Sequence, residues 1–141
     1  MRDQEELEDA EILIRKAIHL NHNFYEAYLI LGILLRELGK LEEAELSARE
    51  AIKLNPKVGN AYLSLGIILR DLGRYEEAEL FTLKAIKLEN SDLERCYQNL
   101  SLLMYARGNI NSAIENIEKA VSLDPISVSY THLTLPTKRI V

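Results

Sequence analysis

The chain has one cysteine, Cys96, so it can form no disulfide within itself and no zinc site built on several cysteines. Positive charge is also in short supply. Seventeen Lys and Arg face 22 Asp and Glu, for a formal net charge of −5. That argues against broad nucleic-acid binding, which needs a basic footprint to displace the counterions around phosphates. Long hydrophobic runs are missing too. AYLILGILL at 27 to 35 falls far short of the roughly 20 apolar residues that span a bilayer. The opening MRDQEELEDAE is acidic where a secretory leader needs a basic start and an apolar core, so a reducing cytoplasmic location is the expectation. No nucleophile, base and orienter combination, no phosphate-cradling loop and no metal motif stands out, so neither an enzyme activity nor a cofactor is expected.

What is present is an ordinary globular composition with a strong internal order. At 141 residues the chain has the length of one domain and can bury well over half of its unfolded surface. Its 48% hydrophobic and 28% charged residues exclude a disordered or membrane-embedded class. LGKLEEAELSAREAIKLNP at 38 to 56 aligns with LGRYEEAELFTLKAIKLEN at 72 to 90, and more loosely with RGNINSAIENIEKAVSLDP at 107 to 125. Ala17, Ala51, Ala85 and Ala120 are equivalent, with spacings of 34, 34 and 35 residues. A period of that size, built from two helical patterns, predicts a helical solenoid.

Each unit divides into two amphipathic helices. In the first complete unit Tyr28, Leu31, Leu35 and Leu38 recur at spacings of three and four, forming one apolar stripe. Gly39, Gly73 and Gly108 follow the first helices, where a left-handed residue closes the last turn. The second helix carries Leu41, Ala44, Ala48, Ala51 and Ile52 on one side, and its small alanines let two backbones approach. Asn55 with Pro56, and Asp124 with Pro125, stop the second helices. The middle junction ENSD, 89 to 92, has Asn90 in place of proline and one extra residue, so it should bend more freely. Ser91 or Asp92 is the expected N-cap there.

This pattern resembles the tetratricopeptide repeat family. The residues that carry the resemblance are Tyr28, Leu31, Gly32, Leu35, Leu41, Ala44, Ala51 and Pro56 in the first complete unit. Tyr62, Leu65, Gly66, Leu69, Tyr75, Ala78 and Ala85 carry it in the second, where Asn90 departs from proline. In the third they are Tyr97, Leu100, Met104, Ile110, Ala113, Ala120 and Pro125, with Ser101 replacing the small glycine. Leu7, Ala10, Ile14, Ala17 and Leu20 reproduce only a second helix. The resemblance implies an all-α, right-handed α-solenoid of antiparallel helix pairs, one orphan helix followed by three units. The boundaries expected are a partial repeat at 1–24, units at 25–58, 59–93 and 94–127, and a tail at 128–141. The half-repeat at the start and the uncapped last helix suggest a fragment of a longer array.

In this family the first helices line a concave groove that receives peptides or partner segments. Carried over, the resemblance implies a groove lined by Glu26, Leu29, Ile30, Ile33 and Arg36, then Asn60, Leu63, Ser64, Ile67 and Arg70, then Arg95, Gln98, Asn99, Leu102 and Tyr105. An apolar floor edged by Arg36 and Arg70 suits a peptide whose apolar side chains dock while acidic groups meet the arginines. The alternatives are a groove filled by another part of the same protein, and arginines that are simply solvated. The lysine and asparagine clamp of chaperone-binding members is not matched by Leu29, Ile33, Ser64, Arg95 and Asn99, of which only the third-unit pair resembles it. The asparagine ladder of sugar-transferase members is reduced to Asn99 in the series Ile30, Ser64, Asn99.

Other chemistry is thin. His19 and His22 are spaced for a shared metal face but lack a third ligand, which favours a surface role. Cys96 reads as a small apolar packing residue. The sequon at Asn99, Leu100 and Ser101 falls inside a predicted helix. EEAE at 42 to 45 and at 76 to 79 reads as a solvated face near a helix N-terminus.

The function expected is therefore a protein-protein interaction scaffold that binds a peptide or protein segment of unknown identity. The alternative is a targeting fragment of a larger enzyme such as a transferase. Weak self-association through exposed solenoid ends is a third expectation. The tail VSYTHLTLPTKRIV has no repeat signature, and VSYTHLTLPT resembles the translation of a sequencing adapter. It is expected to be non-native or disordered, without function.

Overall fold

In the computed structural model, residues 3–88 and 90–123 are described. The tail expectation for 128–141 and the Asp124–Pro125 stop lie outside the described residues. Seven helices occupy them: α1 (Gln4–Leu20), α2 (Tyr25–Glu37), α3 (Leu41–Leu54), α4 (Gly59–Asp71), α5 (Tyr75–Lys87), α6 (Leu93–Ala106) and α7 (Ile110–Leu123). The all-α fold is thus one leading helix followed by three helical pairs, α2 with α3, α4 with α5, and α6 with α7. The chain forms two compact units, one carrying α1 to α5 and the other, from Asp92 on, carrying α6 and α7.

In the first unit each first helix lays its leucines against the alanines of the second. Leu31, Leu34 and Leu35 of α2 are buried, as are Ala44, Ala48 and Ala51 of α3. Leu65, Ile68 and Leu69 of α4 repeat the arrangement with Ala78 and Ala85 of α5. Leu31 and Leu35 of the sequence stripe are at the centre of this packed face, Tyr28 and Leu38 lie half-buried at its margins, and Leu34 joins it.

The glycines end the first helices as their position predicts. Gly39 and Gly73 have φ of 80° and 81°. The Gly39 N–H donates to Arg36 O at 3.0 Å, and the Lys40 N–H to Leu35 O at 2.8 Å. Gly73 and Arg74 donate to Arg70 O and Leu69 O in the same way. This paired closure satisfies carbonyls that a helix end leaves open.

Asn90, the departure from proline, has a role that the sequence did not disclose. Its Oδ1 accepts the N–H of Gly59 at 3.0 Å, so the end of this repeat caps the start of its own first helix, α4. The approach is close: a Cβ added at Gly59 would lie 2.6 Å from the Ser91 Cβ. Tyr62 Oη donates to Pro56 O at 2.8 Å, tying α4 to the turn before it.

In the EEAE segments Glu42, Glu43 and Glu76 are exposed, in keeping with a solvated face, but the segments also take part in ion pairs between repeats. Glu11 accepts from Arg15 at 2.8 Å and from Lys40 at 3.2 Å, while Arg15 lies 3.6 Å from Glu43. One repeat later Glu45 pairs with Arg49 at 2.9 Å and with Arg74 at 2.7 Å, and Arg49 lies 3.6 Å from Glu77. Arg74 also reaches Glu77 at 2.9 Å. All four members recur at a spacing of 34, so these charges bridge successive repeats instead of only facing water.

In the second unit Leu100, Leu103 and Cys96 of α6 are buried, as are Ala113 and Ala120 of α7. Gly108 closes α6 with φ of 82°. Asp92 is the N-cap of α6, its side chain accepting from the Arg95 N–H at 3.3 Å. Ser101, in the glycine position, donates its hydroxyl to Ala113 O at 2.7 Å, so the added side chain is absorbed by a hydrogen bond between the paired helices.

Candidate peptide-binding groove

The candidate surface is the side of the first helices turned away from their partners. On α2 the apolar stripe takes Leu31, Leu34 and Leu35 inward, which leaves Ile30 and Ile33 on the other side by helical spacing. They are 45% and 39% exposed, with Leu29 half-buried and Glu26 exposed beside them. Two large aliphatic side chains one turn apart in water offer apolar area whose burial by a partner would be favourable.

On α4 the expected positions divide. Asn60 is exposed and Ser64 half-buried, but Leu63 is 2% exposed and Ile67 is also buried. Leu63 and Ile67 are core residues here, so the apolar surface open in the first unit comes from α2. In the second unit α6 presents Arg95, Gln98, Leu102 and Tyr105 to solvent, whereas Asn99 is buried. Gln98 donates to Glu94 at 3.2 Å along the helix.

The arginine edge carries less charge than the sequence suggests. Arg36 Nε donates to Asp71 Oδ2 at 2.5 Å, and Arg70 Nη2 lies 3.4 Å from Asp71 Oδ1. One carboxylate thus serves two guanidinium groups. Neither arginine is the freely solvated charge that was the alternative reading. Asp71 was missed because its partner Arg36 is 35 residues away, a pairing that only the stacked repeats create.

The remaining chemical candidates are quiet. His19 and His22 sit edge to face with ring centres 6.4 Å apart at the end of α1. Among the described residues, no group of three or more His, Cys, Asp or Glu is arranged to hold a metal ion. No helix among them is long and apolar enough to cross a membrane.

Comparison with known proteins places this geometry. Among curated proteins no sequence matches the chain. Of solved structures, MamA aligns with a TM-score of 0.72 at 27% identity, covering 82% of this chain and 67% of that one. YrrB, described as a TPR protein with an unusual peptide-binding site, aligns with a TM-score of 0.69 at 22% identity over 79% of this chain and 57% of its own. PilF of Pseudomonas aeruginosa aligns with a TM-score of 0.77 at 20% identity over 96% of this chain and 66% of its own. The chain therefore spans about two thirds of the length of such neighbours. Three tetratricopeptide repeat family models match residues 31–92, 13–45 and 94–127. Between them they take in every repeat that the spacing of the alanines marks out, and the chain belongs to the tetratricopeptide repeat family of protein-interaction scaffolds.

Proposed function

We propose that the chain binds a peptide or protein segment on the exposed side of its first helices, by apolar docking onto α2. The observation that carries this reading is the exposure of Ile30 and Ile33 beside the Arg36–Asp71 pair. A segment with two apolar side chains would cover the isoleucines, and an acidic group beside them would approach the guanidinium edge formed by Arg36 and Arg70. Leu102 and Tyr105 of α6 are a like set in the second unit. The fold has precedent for such binding in YrrB, whose description names a peptide-binding site.

The test is selection from a displayed peptide library followed by calorimetry on the winning peptide. Ile30→Glu with Ile33→Glu should weaken its affinity at least about tenfold, since two exposed anchors are lost, while far-UV dichroism stays unchanged. Both residues are exposed, so helical content should survive, whereas substitution at buried Ile67 would confuse binding with folding. Equal affinity of the double variant and the parent removes this surface from consideration.

A second reading, self-association, is favoured by the apolar exposure of α1 and α7. Ile12, Leu13 and Leu20 of α1 are exposed, and so are Ile110, Ile114 and Ile117 of α7.

A further inference from the structure

Tyr28, Tyr62 and Tyr97 hold the same place in the three repeats, but their surroundings differ. The Tyr62 ring stacks on Phe81, with centres 6.4 Å apart and planes 17° from parallel. The Arg49 guanidinium lies 5.4 Å from the centre of the Phe81 ring, and the Lys84 ammonium lies 5.0 Å from the centre of the Tyr62 ring. Tyr97 likewise has Lys119 over its ring at 5.5 Å. At Tyr28 the residues equivalent to Phe81 and Lys84 are Ser47 and Glu50. The ring and the cation are both replaced, and an open hollow of about 400 Å³ remains, lined by Arg15, Ile18, Tyr28, Leu31, Ser47 and Glu50.

We propose that this hollow between α1, α2 and α3 is a binding site for an aromatic side chain of a protein partner, carried next to a basic residue. The chain itself supplies the argument for the occupant. One repeat further on, the equivalent space is taken by a phenyl ring between a tyrosine and an arginine. Arg15 is already held for that task as Arg49 is: it pairs with Glu11 at 2.8 Å and lies 3.6 Å from Glu43, against 2.9 Å to Glu45 and 3.6 Å to Glu77 for Arg49. A ring entering the hollow would find Tyr28 to stack on and Arg15 to cover it, the two contacts that Phe81 makes internally.

Charge settles the second half of the occupant. In the other two repeats a lysine sits over the tyrosine; in this one a carboxylate takes that position. Glu50 attracts a cation and repels an acid, so a basic residue beside the aromatic one would replace the missing lysine and an acidic one would be rejected. The hollow is separate from the surface proposed above. Tyr28 and Leu31 point from α2 toward α1 and α3, and Ile30 and Ile33 lie on the opposite side of the same helix. Failure of the peptide-groove reading leaves this site untouched, and the reverse also holds.

The experiment is an amide shift titration of the ¹⁵N-labelled full chain with N-acetyl-phenylalanyl-lysine amide, using the phenylalanyl-glutamate and alanyl-lysine analogues as controls. Saturable shifts at millimolar peptide are expected at residues 15–18, 28, 31 and 46–50. Both analogues should bind weaker by about fivefold, the size of one cation–π or exposed charge contact. Ser47→Phe, which rebuilds the internal plug, should abolish these shifts and raise Tm. Glu50→Lys, a surface change that keeps the fold if Ser47→Phe does not, should reverse the preference between the lysine and glutamate peptides. Absence of saturable shifts in those segments overturns the proposal, as does an unchanged peptide preference in Glu50→Lys or a response centred on Ile30 and Ile33.

Discussion

At the residue scale, two glycines in equivalent places have unequal freedom, and the difference comes from one neighbour. Gly66 of α4 faces Thr82 of α5, whereas Gly32 of α2 faces Ala48 of α3. A Cβ at Gly66 would collide with the Thr82 hydroxyl and sit 3.2 Å from Ala78 O. At Gly32 the nearest atoms would be Ala44 O at 3.5 Å and Ala48 N at 3.6 Å, ordinary contact. The Thr82 hydroxyl cannot simply turn away, because it donates to Ala78 O at 2.7 Å inside the packed face. Gly66→Ala should therefore destabilise by about 1–3 kcal/mol through overpacking. Gly32→Ala should be neutral or stabilising by up to about 1 kcal/mol, as expected for removing a helical glycine. Chemical denaturation of both variants checks the contrast. In a Thr82→Ala background the Gly66→Ala penalty should shrink by more than half, and an undiminished penalty would locate the strain in the backbone instead.

At the element scale, repeats are joined by apolar packing and by the recurrent set of four charges. Glu11 is held below the usual carboxylate range chiefly by the Arg15 hydrogen bond, which outweighs the opposing effect of partial burial, with Lys40 adding to it. Glu77 is lowered in the same sense, chiefly by its hydrogen bond from Arg74, against a smaller opposing burial effect. Arg74 is correspondingly raised by Glu77 and Glu45. A carboxylate whose folded value lies below its unfolded value of about 4.3 adds stability that is complete above that pH. That stability is lost as pH falls through the folded value. Comparing Tm of the parent with that of Glu11→Gln from pH 7 to pH 3 should show a gap of at most a few degrees, constant near neutrality and closing in acid. The gap should also narrow in high salt, since the partners Arg15 and Lys40 are about half exposed. A gap that persists at the lowest pH would assign the effect of Glu11 to packing.

The helices, their glycine ends and the alanine faces were legible in the sequence because each depends on residues within one or two turns. Tyr28, Leu31 and Leu35 declare their face by spacing, and Gly39 its conformation by position. The groove was only partly legible. Spacing puts Leu63 and Ile67 on the same face as their equivalents Leu29 and Ile33, yet Leu63 and Ile67 are buried and Ile33 is exposed, because burial depends on everything packed around a helix. The Arg36–Asp71 pair, the charge ladder and the Asn90 cap all join residues about one repeat apart. A scan for charges conserved at the repeat period would have found the ladder. The plugged and open versions of the tyrosine site were equally written in the alignment of Ser47 with Phe81, but only the ring stack gives that difference a meaning.

At the scale of the whole molecule, the exposed apolar strips of α1 and α7 bear on how copies behave toward one another. Leu20, at 86% exposure, lies with Ile12 beside Arg15, Lys16 and His19 on α1, an apolar strip with a basic border. On α7 the exposed Ile114 and Ile117 lie beside Glu115 and Glu118. Strips of unlike charge on two different helices favour a heterologous contact between copies, which adds subunits beyond the dimer as a ring or an open chain. Sedimentation velocity over a concentration series should then show a weight-average coefficient that keeps rising without a plateau at the dimer. Leu20→Glu, which adds an acidic group to α1 at a position already in solvent, should lower the association by about tenfold or more while leaving Tm within a degree or two. A plateau at the dimer would point to a self-complementary contact through one helix alone, and a single monomeric species at the highest concentration would show that these strips do not pair.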